Sequence, residues 1–453
     1  MERRADAVVL GLGPGGEEVA GRLAEAGLDV IGIDHRLVGG ECPYWGCVPS
    51  KMMARAANLL AETRRVPGMA GTSTVTPDWA PVARRIREEA TDNWDDRVAV
   101  ERFERKGGHF VRGTGRVTAP NSISVGDDVF TATQALVIAT GTEAVVPPIP
   151  GLRDAAYWIN RQAIETEVVP DSLVVLGGGA IGLELAQVFA RFGSRVAIVE
   201  AMERLLPLEE PESSALIAPI LEREGITVRT GVAAASVAAT ADAITITLAD
   251  GSTVSGERLL VATGRRADLK GLGVAAAGID DGARWIRVDG HMRAAPGVWS
   301  VGDVTGEGVF THVAVYQAGF AVADILGQKL ETGAEYRGLP RVTFTDPEIG
   351  AAGLTEAQAR DRGISVRTGL AQVPTSTRGW IHKAGNEGFI KLVEDADRGI
   401  LVGATSAGPV GGEVLSMLTL AVHAQIPVAT LRTMIYAYPT FHRGVIDALR
   451  ELP

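Results

Sequence analysis

The chain has 453 residues, more than one hydrophobic core serves, and its 46% hydrophobic and 22% charged residues exclude a disordered polymer. A formal net charge of −11 argues against nucleic acid or an anionic membrane as partner, because both reward Lys and Arg. The length suits about three domains of ordinary size, and 55 glycines promise many tight turns.

The charged start, Met1 to Arg4, is followed by a short apolar run, so no secretory signal is read and the expected compartment is the cytoplasm. Ala7-Val8-Val9-Leu10 predicts a strand, Gly11-Leu12-Gly13-Pro14-Gly15-Gly16 a tight turn, and residues 17–26 a helix. A second strand, Val30 to Ile33, ends at Asp34. In such a G-x-G-x-x-G unit the first glycine permits the turn and the second lets backbone N–H groups approach a pyrophosphate. The third lets helix and strand pack closely, and the terminal acid accepts ribose hydroxyls.

Cys42 and Cys47 are the only cysteines. A staple across so short a loop does little for a chain this long, and cytosolic disulfides are mostly catalytic or redox-sensing. Zinc would need further ligands and His35 is the only close histidine, so no metal is expected. Alone, the pair would read as two unrelated buried thiols.

Leu136 to Ile138, Ala139, Thr140 and Gly141 form an apolar strand ending in Thr-Gly, and Leu259 to Gly264 form another. Pro147-Pro148-Ile149-Pro150 reads as a linker. Leu173 to Leu176 repeat the first strand, Gly177, Gly179 and Gly182 the turn, and residues 183–192 the helix. Arg195 to Val199 end at Glu200, at the same distance from Gly177 as Asp34 from Gly11. Two such units imply two dinucleotides.

Val298 to Val301 lead to Gly302 and Asp303, followed by an apolar helix expected over 314–326. After Leu339-Pro340, β-like runs at 389–393 and 401–404 alternate with helical stretches at 355–361 and 412–424, an α+β pattern. Val414 to Leu431 lack acid, Lys and Arg, but His423, Gln425 and Pro427 make a buried helix and turn the expectation, not a membrane span. The expected fold is α/β, with two Rossmann-like dinucleotide-binding domains, one of residues 1–150 and 265–338 and one of 151–264, plus a C-terminal α+β dimerisation domain at 339–453.

Taken together these motifs resemble the pyridine nucleotide-disulfide oxidoreductases, the flavoenzyme group of dihydrolipoamide dehydrogenase, glutathione reductase and mercuric reductase. The resemblance runs through nearly the whole chain. It rests on the Gly11 turn, the segment Gly39-Gly40-Glu41-Cys42-Pro43-Tyr44-Trp45-Gly46-Cys47-Val48-Pro49-Ser50-Lys51, the Thr140-Gly141 strand, the Gly177 turn, Gly302-Asp303, and Phe344-Thr345-Asp346-Pro347-Glu348-Ile349-Gly350. It implies that Gly11, Gly13, Gly16 and Asp34 hold the ADP half of FAD, with Asp303 nearer its ribityl chain. It implies Cys47 as the thiol facing the flavin, Cys42 as the thiol that meets substrate, and Lys51 with Glu184 as a pair beside the flavin ring. Electrons would pass from reduced nicotinamide through FAD to a Cys42–Cys47 disulfide and on to an acceptor by thiol exchange. The last domain would build a homodimer. Glu200 repels a 2′-phosphate and suits the free ribose of NADH; Arg204 offers some phosphate binding, but the arginine cluster of an NADPH site is missing.

Departures from the pattern limit the substrate. The family's His-Pro-Thr segment, with Glu five residues after the His, is here Tyr438-Pro439-Thr440-Phe441-His442-Arg443. Tyrosine titrates near ~10 and is a poor base at neutral pH. His442 is either a substitute acid or a packed histidine. Tyr44 and Trp45 either pack under the flavin or wall a bulky acceptor. Mercuric reductase and the large thioredoxin reductases need a further cysteine pair near the C-terminus, which this chain lacks. The expected activity is therefore NADH-dependent reduction of a disulfide or thiol-reactive small molecule. The alternatives are reduction of quinones directly from flavin, and C–S cleavage by the dithiol, as in ketopropyl-coenzyme M oxidoreductase/carboxylase.

Overall fold

The computed structural model describes residues 2–241 and 243–453. They divide into two compact units: Met1–Pro49, Arg84–Val145 and Gly264–Glu335 form one, and Ser50–Ala83, Val146–Thr263 and Tyr336–Pro453 the other.

The first unit is built on a sheet running Gly108–Arg112, Val30–Asp34, Glu2–Leu10, Asp128–Ile138, Val298–Ser300, Arg293–Ala295, parallel except at the last strand. Alternation along Glu2–Leu10 decides the two faces. Ala7 and Val9 enter one core with Val19, Leu23, Ala318 and Val322, from the helices Pro14–Glu25 and Thr311–Ile325. Val8 and Leu10 enter another with Val117 and Ile123 of the hairpin Gly115–Ala119 and Ser122–Val125. The first helix starts at Pro14, earlier than residue 17, because Gly13 caps it in an extended conformation and proline's fixed φ suits a first turn.

The second unit contains a four-stranded parallel sheet, Thr227–Arg229, Arg195–Val199, Ser172–Leu176, Arg258–Val261, and a three-stranded antiparallel sheet from Ala234 to Gly256. Its C-terminal part is a five-stranded antiparallel sheet, Pro340–Thr343, Glu348–Gly353, Ile400–Gly408, Phe389–Asp395, Val366–Gln372. The helices Gly411–His423 and Gly444–Arg450 pack on it through Leu415, Leu418, Val422, Val445 and Leu449. Two strand–glycine–helix units and an α+β tail are the architecture expected. Among the described residues, no helix is long and apolar enough to cross a membrane.

Candidate active site

In both strand–turn–helix units the first glycine has a left-handed φ, +91° at Gly11 and +115° at Gly177. A β-carbon there would also strike the carbonyl of Ala139 or Ala262, so a side chain is excluded twice over. Gly16 and Gly182 sit equally tight under the carbonyls of Gly11 and Gly177. Gly13 and Gly179 differ: nothing lies within 4 Å of an added β-carbon. Each turn is thus an open concavity at the N-terminus of a helix, Pro14–Glu25 or Ala180–Arg191, where N–H groups meet an anion.

The terminal acids are held alike. Asp34 accepts N–H groups of Leu12 at 2.7 Å and Arg36 at 2.8 Å, and Glu200 those of Gly178 at 2.6 Å and Met202 at 2.8 Å. Each carboxylate oxygen keeps a second lone pair for a ribose hydroxyl. Arg204 is turned inward, donating to Leu206, Pro207 and Glu209 carbonyls and the Ser214 hydroxyl at 2.7–3.1 Å.

Around the first turn, Gly15 abuts Ala314 and Val301, and a β-carbon on Gly40 would lie 2.8 Å from Gly13 Cα. Gly141 and Gly264 have left-handed φ, and the Gly302 N–H donates to Gln317 at 2.6 Å. The Thr140 hydroxyl is buried with no hydrogen-bond partner among the described residues. Asp303 accepts Thr142 at 3.1 Å, and Arg265 holds Thr142 through its hydroxyl at 2.8 Å and its carbonyl at 2.6 Å. Burial pushes the Asp303 carboxyl up, against the opposing pull of Arg265 and Thr142. An orphaned hydroxyl, an open glycine cradle and a buried acid seeking a donor fit FAD, whose phosphates, ribose and ribityl hydroxyls supply the missing partners. Thr142 and Arg265 were not singled out in the sequence; only their neighbours Gly141 and Gly264 were.

Cys42 lies in the short helix Glu41–Tyr44, and Cys47 opens the helix Cys47–Arg65. Both are present as thiols, Cys42 half-buried and Cys47 exposed. A hydrogen bond to Cys47, then burial, pushes the Cys42 thiol well above the usual range, so it keeps its proton. The Thr311 hydroxyl lies 3.3 Å from Cys47 Sγ and also hydrogen-bonds Cys42, where it pulls the other way. Thr311 is the first residue of a 15-residue helix. Cys47 thus heads its own helix and touches the head of another, a setting that favours a thiolate. Thr311 escaped the sequence reading because that helix was expected to begin only at residue 314, where the apolar run does.

Tyr44 is buried, its ring 5.8 Å from that of Trp45, and burial, then Asp96 and Glu17, push its phenol up to about 12. It belongs to the framework rather than to a wall.

In the second unit Lys51 and Glu184 meet at 2.8 Å. Glu184 uses its other oxygen to accept the Phe344 N–H at 2.9 Å, and the Lys51 ammonium also lies 4.5 Å over the Phe344 ring. Tyr438 is 65% exposed and donates to Thr377 at 3.3 Å. Arg443 lies 5.4 Å from the Tyr438 ring and 3.5 Å from Asp447. His442 turns away, its Nε2 3.4 Å from the Thr440 hydroxyl and its ring against Tyr436. The segment is a turn, with the last helix beginning at Gly444.

The family description "pyridine nucleotide-disulphide oxidoreductase" matches residues 5–318, and the dimerisation domain of the same family matches 339–449. The chain belongs to this family. Members use FAD with NAD(P)H as electron donor, so this pyridine nucleotide-disulphide oxidoreductase is an FAD-dependent enzyme. It is 32% identical over 463 residues to dihydrolipoyl dehydrogenase of Thermus scotoductus, covering 99% of this chain and 97% of the relative. It is also 32% identical over 443 residues to mercuric reductase of Bacillus cereus, covering 96% of this chain and 69% of that one. Among solved structures it is similar to the copper(II) complex of the HOCl-induced flavoprotein disulfide reductase RclA of Escherichia coli. There the TM-score is 0.84 and the identity 25%, with 99% of each chain covered.

Proposed function

We propose that this enzyme carries electrons from NADH through FAD to the Cys42–Cys47 pair and delivers them to a disulfide or another thiol-reactive small molecule. The observation that carries the reading is the thiol pair itself, hydrogen-bonded together and joined by Thr311 at 3.3 Å from Cys47. Bound FAD supplies the acceptance of hydride and its conversion to thiol-level electrons. The residues around it divide the work. Gly11, Gly13, Gly15, Gly16, Asp34, Gly40, Thr140, Gly141, Gly302 and Asp303 bind FAD. Gly177, Gly179, Gly182, Glu200 and Gly264 serve the nicotinamide nucleotide. Lys51, positioned by Glu184, offers positive charge where hydride arrives. In the exchange Cys42 passes its proton to the hydrogen-bonded Cys47 thiolate and attacks one acceptor sulfur, and the other sulfur leaves, taking that proton from Cys47. Cys47 then closes the Cys42–Cys47 disulfide and expels the second thiolate, so the acceptor gains two electrons.

NADH is favoured because Glu200 stands at the ribose position and Arg204 spends its guanidinium on three carbonyls and Ser214. The division of labour follows residues 1–150 with 265–338 for FAD, 151–264 for the nicotinamide nucleotide and 339–453 for a homodimer. In that dimer Tyr438 stands where relatives carry the acid–base histidine. A dithiol that cycles needs reducing surroundings, which supports a cytoplasmic location.

The test is anaerobic NADH oxidation against a panel of disulfides, thiol-reactive compounds and quinones, with Cys42→Ser alongside the wild type. The reading expects turnover of a sulfur acceptor that falls at least ~100-fold in Cys42→Ser. Quinone turnover that survives in Cys42→Ser, with no sulfur acceptor turned over, assigns the enzyme to direct reduction from flavin instead.

A further inference from the structure

The helix Ala180–Arg191 carries more than Glu184 on its inner face. Glu184, Gln187 and Arg191 fall at i, i+3 and i+7 and so share one face. All three are buried, and all three grip the segment Phe344–Asp346. Glu184 takes the Phe344 N–H at 2.9 Å. The Gln187 amide holds Asp346 by both backbone groups, accepting its N–H at 2.8 Å and donating to its carbonyl at 3.0 Å. Arg191 donates to the Asp346 carboxylate at 2.8 Å. Arg191 is itself fixed by Glu224 at 2.9 and 2.6 Å and by Asn58 at 2.6 Å. Arg65, from the helix that bears Lys51, reaches the same Asp346 oxygen at 2.7 Å.

A buried arginine between two carboxylates is costly to desolvate where an apolar side chain would fill the space, so this network buys geometry rather than stability. The geometry ends at Lys51. A lysine head is a compact charge on a flexible stem, so it stays at one point only if constrained from several sides. Here Ser50 lies at 3.2 Å, Glu184 at 2.8 Å and the Phe344 ring at 4.5 Å. Two of the three constraints run through Phe344, which this helix face holds together with Asp346.

We propose that Gln187 and Arg191 are positioning residues that fix the Lys51 ammonium by fixing Phe344; this rests on the reading of Lys51 as the charge beside the flavin. The test uses the holoenzyme, labelled at the lysine ε-carbon with carbon-13, and compares wild type, Gln187→Met, Phe344→Leu and Phe344→Tyr. The Lys51 resonance, assigned by its loss in Lys51→Met, moves in Gln187→Met and Phe344→Leu and returns in Phe344→Tyr, which keeps the ring. NADH-dependent reduction in stopped flow slows about 10–100-fold in the first two, with NADH affinity within about twofold and FAD content unchanged. Should Gln187→Met fail to fold, Arg191→Lys takes its place. An unmoved Lys51 resonance and an unchanged reduction rate in the folded Gln187 or Arg191 variant, or in Phe344→Leu, overturn the proposal. Unchanged reduction in Lys51→Met overturns instead the role given to Lys51, a separate result.

Discussion

Replacing Lys391 by Met removes the one ammonium at the centre of three carboxylates. Lys391 is 3% exposed and lies 3.0 Å from Glu210, 2.7 Å from Glu212 and 3.0 Å from Glu356. Glu210 is as deeply buried, whereas Glu212 and Glu356 reach solvent and can be hydrated once the lysine is gone. The cost is therefore mainly one uncompensated buried carboxylate, about 3–5 kcal/mol. For a unit of this size that lowers the first thermal transition by ~10 °C at pH 8.

The pH dependence separates this account from simple loss of packing. In the wild type, burial pulls the Lys391 ammonium down, but hydrogen bonds to Glu212, Glu210 and Glu356 outweigh it and hold it above its ordinary value. A raised lysine gives its full stabilisation below its unfolded pKa, about 10.5, and loses it only as pH climbs through the folded value, so this term is flat from pH 5 to 8. In Lys391→Met the buried Glu210 carboxyl titrates upward instead, and its penalty fades as acid protonates it. The deficit of the variant should thus shrink at pH 5, and Lys391→Met with Glu210→Gln should be more stable than Lys391→Met alone. Melting curves of the holoenzymes at the two pH values measure both. A deficit equal at pH 8 and pH 5, together with no recovery in the double variant, refutes the reasoning.

Thr311→Val removes the hydroxyl beside Cys47 and should slow iodoacetamide alkylation of Cys47 at pH 7 several-fold in the reduced protein, about what one lost hydrogen bond of ~1 kcal/mol implies; equal rates would dismiss Thr311. Glu200→Gln keeps the size but removes the charge facing a 2′-phosphate, so the NADH over NADPH preference in kcat/KM should drop by roughly tenfold, and an unchanged ratio would place discrimination elsewhere. Lipoamide and glutathione disulfide should be turned over slowly, because general-acid help worth ~10²–10⁴-fold is lacking with Tyr438 and Arg443 in place. Rapid turnover of either, undiminished in His442→Ala, would count against that view, whereas rapid turnover abolished in His442→Ala would give His442 the acid role.

What could be read from the chain without its fold was whatever is decided locally. Gly11 and Gly177 announce their turns because a left-handed φ excludes other residues, and Asp34 and Glu200 end strands whose length fixes their distance from the glycines. The starts of helices were less legible: apolar periodicity begins where a helix meets the core, whereas the half-buried Pro14 and Thr311 stand one turn before it. That one-turn error hid Thr311 beside the thiols. The partners of Lys51 show the opposite limit. Glu184 was found only through resemblance and Asp346 only as part of the segment 344–350, while Gln187 and Arg191 carry no motif and lie more than a hundred positions from Lys51. Their arrangement depends on two helices and the entry of a third segment meeting correctly, which no local pattern encodes. The consequence for function is asymmetric. Cofactor binding is written in short glycine motifs, but the geometry around Lys51 is spread over residues that lie mostly outside them. On the proposed role of Lys51, substitutions at Gln187 or Arg191 should therefore alter rates while every motif stays intact, and a comparison limited to the motifs will miss them.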